Sequence, residues 1–182
     1  IPFEETNNGM AEWIDYDNDG DLDIMLSGNA GGDDVSRLYK NVDTTFTDTE
    51  IEFTGLRSSF FAWGDYNNDS YLDLLITGQD LHLKPLTLLY QNNGNGNFTK
   101  QSEHGLPAIM VGSVAWGDYD NDGLIDVLIT GNTGEEKISK IFRNKGNGSF
   151  TKLVDIPLQG VNGGEGKWFD YDNDGDLDFS LY

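Results

Sequence analysis

Residues 13–23 read Trp13-Ile14-Asp15-Tyr16-Asp17-Asn18-Asp19-Gly20-Asp21-Leu22-Asp23: a hydrophobic approach, a loop holding five carboxylates, and a hydrophobic exit. The pattern returns three times, as Trp63-Gly64-Asp65-Tyr66-Asn67-Asn68-Asp69-Ser70-Tyr71-Leu72-Asp73, Trp116-Gly117-Asp118-Tyr119-Asp120-Asn121-Asp122-Gly123-Leu124-Ile125-Asp126 and Trp168-Phe169-Asp170-Tyr171-Asp172-Asn173-Asp174-Gly175-Asp176-Leu177-Asp178. Counted from the first Asp, oxygen side chains recur at positions 1, 3, 5 and 9, and Gly stands at position 6 in three copies. Nine residues cannot hold so many negative charges apart in water, so a hard cation is expected among them. Calcium suits the pattern, because it accepts six to eight oxygens in a loose shell and a loop can add the carbonyl at position 7. Zinc would call for His or Cys, and magnesium usually keeps several waters and only one or two carboxylates.

Two plainer readings compete. An EF-hand needs Glu at position 12, where this chain has Leu26, Ile76, Ile129 and Leu181, so that reading fails. A solvated acidic turn is the usual fate of one Asp-Asn-Asp-Gly stretch, but not of four in register. The second loop is the weakest ion site, with Asn67 for one carboxylate and Ser70 where backbone freedom is wanted.

The chain has 182 residues and a formal charge of −21, from 11 Lys and Arg against 32 Asp and Glu. Seventeen of those acids lie in the four loops, so the remainder carries only −4 and the acidity is local. No basic patch exists to displace the counterions of a nucleic acid, and no apolar run approaches the ~20 residues of a membrane-spanning helix. Nucleic-acid binding and membrane insertion are therefore not expected. Cysteine is absent, so disulfides play no part. A chain that begins at Ile1 without Met reads as an excised or mature segment, and calcium loops of this kind stay filled where calcium is millimolar. A secreted or cell-surface location is the expectation. Asn68, Asn97 and Asn147 each open an Asn-x-Ser/Thr triplet, which matters only in a glycosylating host.

The four Trp residues are 50, 53 and 52 residues apart, which sets the repeat. Each unit opens with an alternating stretch (Met10 to Ile14, Phe60 to Gly64, Ser113 to Gly117, Gly166 to Phe169) that predicts a strand entering the loop. A more apolar strand follows and is expected to end at Ser27-Gly28, Thr77-Gly78 and Thr130-Gly131. Third strands are predicted over Ser36 to Asn41, Leu86 to Asn92 and Ser139 to Asn144, and fourth strands from Phe46, Phe98 and Phe150.

Four short strands per ~50 residues make a meander of the size of one propeller blade, and no helical periodicity appears. The fold class is thus all-β, with four-stranded antiparallel blades and a calcium loop between strands 1 and 2. Ile156-Pro157 precedes Trp168 as Ile1-Pro2 precedes Trp13, which gives repeats 1–50, 51–103 and 104–155 and a half-repeat 156–182 in one repeat domain. Three blades and a half-blade form part of a larger ring, or copies of the chain combine to close one. The Trp is expected to pack between blades rather than to stack on a sugar, and the loop Tyr to pack within its loop.

These repeats resemble the FG-GAP/VCBS family of calcium-loop propeller repeats, found in integrin α-subunit heads, secreted bacterial proteins and some fungal lectins. The motif Asp-Tyr-Asp-Asn-Asp-Gly-Asp-Leu-Asp, followed by Leu-Tyr-x-Asn and Asn-Gly-x-Phe, carries the resemblance. It implies up to four Ca2+ ions. The first is held by Asp15, Asp17, Asp19, Asp23 and the carbonyl of Asp21. The others are held by Asp65, Asn67, Asp69, Tyr71 and Asp73; by Asp118, Asp120, Asp122, Leu124 and Asp126; and by Asp170, Asp172, Asp174, Asp176 and Asp178.

Variable segments Asn29 to Asp34, Gln79 to Pro85 and Asn132 to Lys137 fall between the second and third strands and are expected on one face, where loops carry function. A non-enzymatic module recognising protein or carbohydrate is the leading expectation. The rivals are a self-assembling architectural fragment and the scaffold of a polysaccharide-degrading enzyme. Catalysis is disfavoured because the acids are committed to metal, and His82 and His104 read as lone surface residues.

Overall fold

The computed structural model of the chain describes residues 3–153, 156 and 158–182. Ile1, Pro2, Val154, Asp155 and Pro157 lie outside the described residues, and with them most of the Ile-Pro match between the two ends. The strands, in chain order, are β1 (Ala11–Ile14), β2 (Asp23–Ala30), β3 (Asp33–Val42), β4 (Thr45–Asp48), β5 (Arg57–Gly64), β6 (Asp73–Gln79), β7 (Pro85–Asn92), β8 (Phe98–Gln101), β9 (Val111–Gly117), β10 (Asp126–Asn132), β11 (Lys137–Asn144), β12 (Phe150–Lys152), β13 (Gly166–Phe169) and β14 (Asp178–Leu181). They form three four-stranded antiparallel meanders, β1-β2-β3-β4, β5-β6-β7-β8 and β9-β10-β11-β12, and the two-stranded sheet β13-β14. The described residues contain no helix. These are the expected three propeller blades and half-blade, in an array that is not closed.

Alternation explains how one strand serves two cores. In β6 Asp73 through Gly78 are all buried, as expected of a strand covered on both faces. Leu74 and Ile76 point into a core shared with the first blade, with Met25, Leu38, Phe53, Leu56 and Phe61. Leu75 points the other way and joins Leu89, Ile109, Val127, Ile129, Ile138 and Phe150. Each fully buried Leu or Ile contributes about 1.5–3 kcal/mol, and the inter-blade cores hold the array together.

The second strands do not stop at the Ser-Gly and Thr-Gly pairs, contrary to expectation; they run on through Gly28, Gly78 and Gly131. Those glycines mark close backbone approach instead of a turn. A Cβ on Gly131 would meet the Val111 carbonyl oxygen at 2.3 Å, at a φ of 143°. In the first blade the turn lacking the Gly pair is a two-residue hairpin, with Val42 opposite Thr45 and positive φ at Asp43 and Thr44. That is the geometry of a type I′ turn.

The acidic loops leave the ends of β1, β5, β9 and β13, while the variable tips between second and third strands lie at the other end of the sheets. Two faces with different chemistry follow.

Candidate functional site

Each acidic loop is wrapped by its own backbone. Asp15 accepts from the N–H groups of Asp19 (3.1 Å) and Gly20 (3.0 Å), Asp65 from Asp69 (2.9 Å) and Ser70 (2.8 Å), Asp118 from Asp122 (3.0 Å) and Gly123 (2.9 Å), and Asp170 from Asp174 (3.2 Å) and Gly175 (3.1 Å). The position-5 carboxylates Asp19, Asp69, Asp122 and Asp174 accept from the position-7 N–H groups of Asp21, Tyr71, Leu124 and Asp176. Tight wrapping requires positive φ at Asn18, Asn68, Asn121 and Asn173, and again at position 6. There Gly is free of strain, whereas Ser70 sits at φ 72°.

Within this frame carboxylate oxygens of Asp15, Asp17 and Asp19 come within 4.8 Å of one another, as do those of Asp118, Asp120 and Asp122 and those of Asp170, Asp172 and Asp178. Oδ1 of Asp17 and Oδ1 of Asp120 are buried without a hydrogen-bond partner. Oxygen-only donors, converging and partly desolvated, fit a hard cation of calcium's size. The second loop brings Asp65 and Asp69 together around Asn67, whose amide bonds to Asp69 on both sides.

Position 9 behaves differently from the rest. Asp23, Asp73 and Asp126 are fully buried, and both oxygens of each accept backbone N–H groups: from Tyr16 and Asn41, from Tyr66 and Asn92, and from Tyr119 and Asn144. They brace the loop against the third strand. Burial pushes their pKa values up, to about 7 for Asp73 and about 6 for Asp126, against the lowering effect of those N–H bonds. Asp178 is exposed and accepts only from Tyr171, which is why it joins the carboxylate cluster of its own loop.

Sequence reasoning missed a basic residue set against two of the loops. Lys40 pairs with Asp17 and lies 3.1 Å from Asp19, and Arg143 lies 2.8 Å from both Asp120 and Asp122. The paired carboxylates hold the Lys40 and Arg143 pKa values above their ordinary range. The recurrence of Lys40-Asn41 and Arg143-Asn144 just before the turn was the available signal.

The loops are also joined to one another. Asn18 donates to the Ser70 carbonyl (3.0 Å), Asn68 to that of Gly123 (2.9 Å), and Asn121 to the Asp176 carboxylate (2.8 Å). The Asn before the outer turn adds a second link: Asn92 donates to the Tyr16 carbonyl (2.8 Å) and Asn144 to that of Tyr66 (2.7 Å). The loop Tyr does not pack only within its loop. Tyr16 reaches Phe98 of the next blade, and Tyr66 stacks on Trp116 and meets Phe150.

Trp116 and Trp168 lie between blades as expected, donating to the carbonyls of Ala62 (3.2 Å) and Ala115 (3.3 Å). They lie against Gly64 and Gly117, where a Cβ would come within 2.8 Å of the indole. At the first junction Ile14 takes the place of that Gly, and Trp63 Nε1 has no acceptor.

On the opposite face Asp34, Val35, Ser36 and Arg37 of β3 and Ile51, Glu52, Phe53 and Gly55 of the next blade's lead-in line a groove of about 340 Å³. Of its lining, Asp34 is held in an ion pair with Arg57 at 2.8 Å. His82 is exposed, but His104 is buried rather than on the surface as expected: its Nδ1 accepts from the Leu106 N–H (3.1 Å), and burial lowers its pKa.

The FG-GAP-like repeat model matches residues 15–76, 85–129 and 118–179, and the chain belongs to that family. No curated protein matches it significantly. Among solved structures it is similar to a lectin of Agrocybe aegerita, described for specific recognition of non-reducing terminal N-acetylglucosamine. The two share 19% identity over 94% of this chain and 46% of that one, at a TM-score of 0.67. The chain spans a little under half the length of that structure, and the likeness concerns the fold.

Proposed function

We propose that this chain is a non-enzymatic, calcium-stabilised propeller module that recognises a glycan outside the cell. The observation that carries the reading is the groove between the first two blades. It sets the exposed Glu52 and the half-exposed Arg37 beside Ile51 in about 340 Å³, with Asp34, Ser36 and Phe53 as its buried lining, a mix of polar anchors and apolar wall on which sugars are held. A solved structure of similar fold, described as a lectin, supports the ligand class. Calcium holds the loops of the other face, by the converging oxygens of Asp15, Asp17 and Asp19 and their counterparts, and so keeps both walls of the groove in place. A setting outside the cytosol suits such loops, which stay filled where calcium is millimolar. Among the described residues no helix is long and apolar enough to cross a membrane.

Catalysis has little to work with. His104 is buried with its Nδ1 occupied, and the loop carboxylates are engaged by backbone N–H groups. A glycan array probed in calcium, with terminal N-acetylglucosamine structures included, tests the reading. Retention of a terminal sugar, weakened about tenfold or more by Arg37→Ala, is expected. Folded protein that retains no glycan overturns it.

A further inference from the structure

At both complete junctions one blade plugs the next in the same way. The Tyr at loop position 2 enters a socket made by the next blade's Trp and the first aromatic of its outer strand. Tyr16 lies 6.2 Å from Phe98, which is 6.1 Å from Trp63, and Tyr66 lies 6.4 Å from Trp116 and 6.1 Å from Phe150. The socket's Asn then clasps the carbonyl of the inserted Tyr, through Asn92 and Asn144.

The first blade carries the same socket, open. Trp13, Leu22, Asn41, Thr44 and Phe46 line a groove of about 300 Å³, with Trp13 58% and Leu22 52% exposed. Trp13 and Phe46 already stand 5.9 Å apart, as the pairs of the filled sockets do. Asn41 Nδ2 donates to the Leu22 carbonyl, as Asn92 and Asn144 do to Leu72 and Ile125, but its second acceptor, a Tyr carbonyl, is missing. At the other end of the array Tyr171, at the same loop position as Tyr16 and Tyr66, is 77% exposed.

We infer that two copies of this chain join head to tail, the Tyr171 loop of each seated in the Trp13–Phe46 socket of the other. The joint repeats one the chain makes twice within itself, so its shape and hydrogen-bond partners are already specified. Asn41 takes the Tyr171 carbonyl, and Asn173 stands where Asn18 and Asn68 reach across to the neighbouring loop. A heterologous contact of this kind closes into a ring or grows into a filament. With each Tyr171 loop seated in the other copy's socket, both joints are used and the assembly closes at two copies.

Light scattering and sedimentation velocity of the 182-residue chain in calcium, at protein concentrations up to about 100 µM, test the joint. A dimer mass that plateaus is expected. Tyr171→Ala and Trp13→Ala each weaken it about tenfold or more, whereas Leu83→Ala, an exposed tip on the opposite face, leaves it unchanged. Because both altered residues are exposed, folding is retained and is checked by circular dichroism. Mixing the Tyr171→Ala and Trp13→Ala chains leaves one intact joint per pair, so the mixture associates more tightly than either variant alone. A wild-type chain that stays monomeric and folded overturns the inference, as does a dimer indifferent to Tyr171→Ala or a mixture no tighter than its components.

Discussion

In the third blade Asp120 and Asp122 face Arg143 at 2.8 Å; at the positions of Asp120 and Arg143 the second blade carries Asn67 and Gln91. One acid and one base are absent together, so the second loop lacks one charge of the acidic cluster and the charge that offset it. The scaffold around both loops is nonetheless the same. Asp65 and Asp118 each bind two N–H groups, Asp73 and Asp126 brace the third strand, and Asn92 and Asn144 clasp the preceding Tyr. The loop frame and the ion chemistry are therefore separable: backbone hydrogen bonds shape the loop, and the carboxylates left over decide what it holds.

Chelation challenges that separation most strongly. Stripping calcium is expected to lower the melting temperature by about 10 °C or more, since several sites release binding energy together. Calorimetry with and without chelator reads this out, and an unchanged curve would mean that the frame and the basic residues alone neutralise the loops. Next in size is the element the two blades share. Asn92→Ala and Asn144→Ala each strand one buried and one part-buried carbonyl and should cost about 2–4 kcal/mol in denaturant unfolding, and Asn41→Ala, which lacks the inter-blade bond, distinctly less.

The frame and the filling can then be compared within the loops. Asp118→Ala removes acceptors from two N–H groups and should cost about 2 kcal/mol in calcium. Asn67→Ala removes a side chain bonded only to its own loop and should cost under about 1 kcal/mol; equal losses would erase the distinction. The smallest effect sharpens the comparison most. Arg143→Gln makes the third loop's base resemble that of the second, and is expected to be nearly silent in calcium and destabilising in chelator, where the cation no longer offsets Asp120 and Asp122. A variant equally destabilised under both conditions would make Arg143 a structural clamp instead.

Much of this was legible in one dimension because the repeat presents it four times. Strand order, the loop positions, the outer-strand Phe residues and the interleaving of Trp between sheets all follow from alternation and spacing. The misreadings have a common cause. Gly28 and Gly131 look like turn residues locally, but their lack of a side chain answers to backbone crossing from a preceding segment. Tyr66 looks like loop packing until the next blade is in place, and His104 looks like a surface residue until its own lead-in segment docks on the outer strand, where the Phe150 N–H bonds its carbonyl. Asn144 stands in a visible motif whose purpose lies 78 residues away, at the Tyr66 carbonyl.

The sequence by itself determined the all-β repeat and the clustering of acids in four turns, because period-2 alternation and charge density act over a few neighbouring residues. Only the tertiary structure decided which carboxylates face the centre of a loop and which brace a strand. The same structure set Lys40 and Arg143 against the acids and left one socket open and one Tyr exposed. Those outcomes depend on contacts across a sheet and between blades, made by residues from 18 to 78 positions apart.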